Sequence, residues 1–116
     1  MTFTRADRVS GLIRKNLSDM IQKEIGDPRL ESAVITKVKM SADLRLATVY
    51  FSISGSKKAQ KEAVGAFGSA RGFIKKKLAR RLGLRYMPDI RFFYDESFDY
   101  AARIENLLDS IKDQNE

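Results

Sequence analysis

The chain has 116 residues, with 22 Lys or Arg against 15 Asp or Glu, a net charge of +7, and no Cys, His or Trp. That length fits one compact domain with a modest core, expected over residues 1–113 and followed by a frayed tail at 114–116. Without cysteine or histidine there are no disulfides, thiolate metal sites, Cys nucleophile, catalytic triad, imidazole acid–base groups or ordinary zinc chemistry.

In chain order, Arg5 to Ile25 reads as a helix. Val9, Leu12, Ile13, Leu17, Met20, Ile21 and Ile25 recur at helical spacing, with Thr4 as N-cap, Gly26 at the C-terminal end and Pro28 beyond it. Ala33 to Met40 reads as a strand with Val34, Thr36, Val38 and Met40 on one face. Leu44 to Ile53 is a second strand presenting Ala47, Val49, Phe51 and Ile53. The short turn Ser41-Ala42-Asp43 makes the two an antiparallel hairpin.

Gly55-Ser56 breaks the chain, and a long helical pattern then runs to Leu82, with Gly83 as its C-terminal cap. Gly65, Gly68 and Gly72 interrupt it, and each costs up to about 1 kcal/mol against Ala, so a kink or a close packing contact is expected. Pro88 opens a third strand, Asp89 to Tyr94, and Ser97 caps a last helix over Phe98 to Lys112. Ala101, Ile104, Leu107, Leu108 and Ile111 form its expected buried stripe. The order helix, strand, strand, kinked helix, strand, helix is that of an α+β domain.

Charge is the strongest functional signal. Twenty basic and eight acidic residues lie up to Tyr94, and two basic and seven acidic after it. Between Arg71 and Arg85 there are seven cations (Arg71, Lys75, Lys76, Lys77, Arg80, Arg81, Arg85) and no acid to pair with them along the helix. Such a run points to a polyanionic partner, of which nucleic acid is the usual one. Lys76 and Arg80 fall opposite the apolar line of Ile74, Leu78 and Leu82, and so face solvent. A helix restarting at a kink over Ala70-Arg71-Gly72 also offers free backbone N–H groups to a phosphate. Gly65-Ala66-Phe67-Gly68 spells the GxxG of KH-domain clamps, but Ala66 and Phe67 sit in the apolar register. Tight helix packing is the better reading there.

Taken together, these segments resemble the ribosome-binding factor A family of bacterial small-subunit assembly factors. The resemblance covers nearly the whole chain. It runs through Asp7-Arg8-Val9, Asp27-Pro28-Arg29, Val38 to Leu44, Ala47 to Ser52, Ala70-Arg71-Gly72-Phe73-Ile74, Pro88 to Phe92 and Asp95-Glu96-Ser97. It implies a type II KH-like domain, α-β-β-α(kink)α-β-α, with a three-stranded sheet, helices packed on one face, and the Ala70-Arg71-Gly72 kink replacing GxxG. It further implies binding to the immature small (30S) subunit, late maturation and 5′-end processing of its ribosomal RNA, and an association with cold adaptation.

The expected RNA-binding residues are Ala70, Arg71, Gly72, Lys75, Lys76, Lys77, Arg80, Arg81 and Arg85. Arg5, Arg8, Lys37 and Lys39 form a secondary set, the two lysines sharing a strand face with Ala33 and Ile35. Tyr50, Phe92 and Tyr94 read as core, with Phe93 the one aromatic placed to stack a base. Asp95, Glu96 and Asp99 read as helix-start charges rather than an acid–base or Mg²⁺ cluster. No pattern calls for a catalytic residue, cofactor, metal or small-molecule substrate. No stretch approaches the roughly 18 apolar residues of a membrane span. With no secretory signal in the first residues, the expected compartment is the cytoplasm and the simplest state a monomer. An alternative reading is a basic adaptor that docks an acidic protein.

Overall fold

The computed structural model describes residues 4–114. Helix α1 (Arg5–Met20) opens with a reciprocal cap: the Asp7 N–H donates to Thr4 Oγ1 (3.1 Å) and the Thr4 N–H to Asp7 Oδ2 (3.0 Å). The chain continues through a wider π-helical turn, Ile21–Ile25, and stops at Gly26 in the left-handed region (φ 59°). That extra width keeps Ile21 in the core with Ile25 packed against it. A short turn, Pro28–Leu30, follows, with the Asp27 carboxylate accepting from the backbone and guanidinium of Arg29.

Strands β1 (Val34–Met40), β2 (Leu46–Ser52) and β3 (Asp89–Tyr94) form one sheet in that order, β1 antiparallel and β3 parallel to β2. The parallel pair requires a crossover, supplied by α2 (Lys57–Leu82). α1 and α2 cover one face, where Ile13, Leu17, Val49, Phe51, Phe67, Ile74, Leu78 and Ile90 are fully buried. Phe67 is central. Its ring stacks on Phe92 (4.7 Å between centroids, 9° between planes) and tilts against Phe51 at 4.7 Å.

Expectations for four elements are corrected. On β1, Val38 and Met40 pack against the core as their shared face predicts, but before them Ile35 is buried and Val34 is 58% exposed, the reverse of the alternation read from sequence. The register shifts between Ile35 and Lys37, leaving Thr36 as an extra residue whose hydroxyl bonds Tyr50 O (3.3 Å) and Asp95 Oδ2 (2.5 Å). This bulge sends Lys37 and Lys39 to the opposite face from Ile35. Leu44 lies in the turn rather than in β2, at φ 61°. The loop there wraps around Ser41, whose Oγ accepts from the N–H groups of Arg45 and Leu46.

α2 is one continuous helix of 26 residues through Ala70-Arg71-Gly72. The glycines do not mark close packing either, because a Cβ built on Gly65, Gly68 or Gly72 meets nothing within 4 Å. The buried side of the helix offsets their cost. Finally, α3 (Glu96–Gln114) begins before Ser97, which sits in its first turn and donates to Asp95. Its Ile104, Leu107, Leu108 and Ile111 are 39–60% exposed, not buried, since α1 and α2 already cover the inner face of the sheet. Asn115, Glu116 and the side chains of Asp99 and Ala101 lie outside the described residues.

Candidate nucleic-acid interface

The cations between Arg71 and Arg85 divide into two groups. Arg71 Nη2 lies 2.6 Å from Asp89 Oδ1, Lys75 Nζ lies 3.6 Å from the same oxygen, and Arg81 is bonded to Glu24. These three are not the free charges expected from sequence, because their counter-ions arrive from β3 and from the turn after α1. Lys76, Lys77, Arg80 and Arg85 make no ion pair among the described residues. Lys77 instead lies over the Phe73 ring, 5.6 Å from its centroid. The two groups occupy different sides of α2: the paired cations flank the buried line of Ile74 and Leu78, and Lys76 and Arg80 point away from it.

The pairing leaves its mark on Asp89. Burial pushes its carboxyl up, but Arg71, the Ile90 N–H and Lys75 outweigh this and hold it below the ordinary carboxylate range. Asp89 is therefore a fixed negative charge beside the basic helix. The expected phosphate site at a restarted helix is absent, because Gly72 lies inside continuous helix and its neighbours' N–H groups are used within it. Ala70 is half-buried, packed against the core, while Gly72 and Arg71 are exposed.

Lys37 and Lys39 stand on the outer sheet face, which α1 and α2 leave uncovered. Lys37 pairs across β2 with Tyr50, and Tyr50 across β3 with Phe93. The Lys37 ammonium is 5.7 Å from the Tyr50 ring centroid, and the Tyr50 and Phe93 centroids are 6.1 Å apart. Phe93 is 46% exposed, whereas Phe92 and Tyr94 pack against the core as expected. Tyr50 is half-buried on this outer face rather than in the core cluster, because it alternates along β2 with the inward-facing Val49 and Phe51. Arg8 is exposed on α1. Arg5, at the start of α1, shares a cleft with Arg85 and Arg45.

Sequence reasoning gave no role in the site to Arg45, Asp89, Glu24 or Phe73. Only Phe73, four residues before Lys77, had a local signal. Asp95 is engaged with Thr36 and Ser97, and no cluster of metal-ligating side chains occurs among the described residues. No helix among those residues is long and apolar enough to cross a membrane.

Residues 5–108 match the family model described as Ribosome-binding factor A. A protein of that name from Desulfatibacillum aliphaticivorans is 53% identical over 107 residues, spanning 92% of this chain and 87% of the relative. The crystal structure of ribosome-binding factor A from Thermus thermophilus superposes with a TM-score of 0.70 at 24% identity, over 78% of this chain and 97% of that one. A Thermus thermophilus homology model fitted into a cryo-EM map of a 30S complex gives 0.67 at 25% identity, over 80% and 97%. An α+β domain with this topology, matched along almost its whole length, belongs to the ribosome-binding factor A family.

Proposed function

We propose that this chain binds the immature small ribosomal subunit in the cytoplasm. In this reading it is a monomeric, non-enzymatic assembly factor that supports late maturation of the ribosomal RNA, including processing of its 5′ end. The observation that carries the reading is the one-sided set of cations on α2 and just beyond it, Lys76, Lys77, Arg80 and Arg85, which no carboxylate among the described residues neutralises. Unpaired cations on a rigid helix suit an RNA backbone, where neutralised phosphates release counter-ions. Arg5, Arg8, Lys37 and Lys39 extend the contact. The Thermus thermophilus relative fitted into a 30S complex gives the partner its precedent.

Sedimentation of the chain with purified small subunits, translating ribosomes and nuclease-treated lysate tests this reading. Co-migration with free small subunits alone, lost on pairing Lys76→Glu with Arg80→Glu, is the expected result. Migration at the top of the gradient at low salt, or retention only by an acidic protein, overturns it. Accumulation of unprocessed 5′ ends in cells carrying the double variant tests the maturation role.

A further inference from the structure

A cleft of about 500 Å³ opens at one end of the domain, where three separate parts of the chain meet. Arg5 enters from the first turn of α1, Arg45 from the β1–β2 loop, and Arg85 from the segment joining α2 to β3. None of the three makes an ion pair among the described residues. The floor is apolar, formed by Val9, Met40 and Leu84. At the rim stands Tyr86, 77% exposed, with the Arg85 guanidinium 5.5 Å from its ring centroid. One acid lines the cleft, Asp43. Its carboxylate accepts from the Ser41 hydroxyl (2.6 Å) and the Arg45 N–H (3.1 Å), which hold it ionised, and against the three arginines it leaves the cleft with a positive balance.

We infer that this cleft binds one unstacked nucleotide, with the base over the apolar floor and against Tyr86 and the phosphate on the arginine rim. The volume falls in the range of small-ligand sites and is too small for a duplex. An apolar floor beside an open ring suits the face of a base, and the sequence-tolerant stacking of single strands uses such rings. The charge suits a phosphate rather than a neutral ligand. The cleft also shares Arg85 with the unpaired cations proposed above to bind RNA. The inference deepens the RNA-binding reading and rests on it.

The test compares two fluorescent decamers of equal charge, deoxyuridine and abasic, with uridine 5′-monophosphate as competitor. Wild-type protein is expected to bind the deoxyuridine decamer about tenfold more tightly than the abasic one. Tyr86→Leu erases that preference while leaving abasic binding intact, and Arg45→Ala weakens both about threefold. Circular dichroism checks that each variant keeps the fold. Displacement by millimolar monophosphate identifies a free nucleotide as sufficient, and resistance to it identifies a strand as the source. Equal affinity for the two decamers, or unchanged binding in both variants, overturns the inference. Sedimentation with small subunits is scored separately, so failure of the cleft and failure of the subunit reading are told apart.

Discussion

Arg71 on α2 reaches across to Asp89 at the first residue of β3, where guanidinium and carboxylate are 2.6 Å apart. The contact ties the crossover helix to the strand it delivers, and it withdraws the most prominent arginine of the expected RNA site into a structural role. Lys75 leans on the same carboxylate.

Removing that carboxylate separates the two roles. Asp89→Asn is expected to lower stability by at most about 1 kcal/mol, since both partners are partly exposed. It should also tighten binding to RNA several-fold at low salt by freeing Arg71 and Lys75, and the gain should shrink as salt screens it. Fluorescence anisotropy across a salt series measures this. Unchanged affinity at low salt would mean that this flank of α2 does not face the RNA.

Acid sensitivity follows with a defined sign. Asp89, Asp27 and Asp43 all have lowered folded-state pKa values, Asp27 chiefly through its bond from the Arg29 side chain and Asp43 through its bond from Ser41. A carboxylate whose pKa is depressed by folding contributes stability above its unfolded value, and that contribution is lost as pH falls through the folded one. Thermal unfolding should be flat near neutrality and should drop below about pH 4. Asp89→Asn should flatten part of that drop.

Two neighbouring arginines should behave differently in salt. Arg80 is unpaired, so Arg80→Ala is expected to reduce the magnitude of the log–log salt slope for RNA by about 0.7–0.9, the share of one phosphate contact. Arg81 is bonded to Glu24, so Arg81→Ala should change the slope far less. Equal slope changes would show that the Glu24 pair opens on binding.

The glycines of α2 predict a gain. Gly65, Gly68 and Gly72 lie on the exposed side, where an added Cβ meets nothing. Gly68→Ala should therefore stabilise the domain by about 0.5–1 kcal/mol, through helix propensity and a less free unfolded chain. Denaturant titration would show a higher midpoint at unchanged slope. A loss of stability would reveal a bend that the alanine cannot follow.

The aromatic residues make a paired control. Phe67→Ala removes a fully buried ring between Phe51 and Phe92 and should cost about 3–5 kcal/mol. Phe93→Ala, on the open sheet face, should cost less than about 1 kcal/mol. Comparable losses would mean that Phe93 is covered in solution.

Most of the architecture was legible because it is written locally. The helical spacing of Val9, Ile13 and Leu17, the cap at Thr4, the stops at Gly26 and Gly83, and the bounds of β3 all involve residues within a few positions of one another. The misreadings have non-local causes. The bulge at Thr36 is held by Tyr50 on β2 and by Asp95 just past β3, so a period-two pattern placed Val34 inside and Ile35 outside. The apolar stripe of α3 satisfies helical spacing, but spacing does not say whether a surface remains for it to cover, and α1 and α2 have taken the inner one. Glycine count suggested a broken α2. Buried Ala66, Phe67 and Ile74 hold it whole.

The sequence by itself determined the element order, the inner face of β2, the family resemblance and the concentration of positive charge on α2. It also excluded cysteine and histidine chemistry. The tertiary structure alone decided which cations are free. Asp89 and Glu24 are distant in sequence from Arg71 and Arg81, and Coulomb attraction depends on distance in space. It also decided that Arg5, Arg45 and Arg85 share one cleft, because only folding brings the start of α1, the hairpin loop and the end of the crossover to one place.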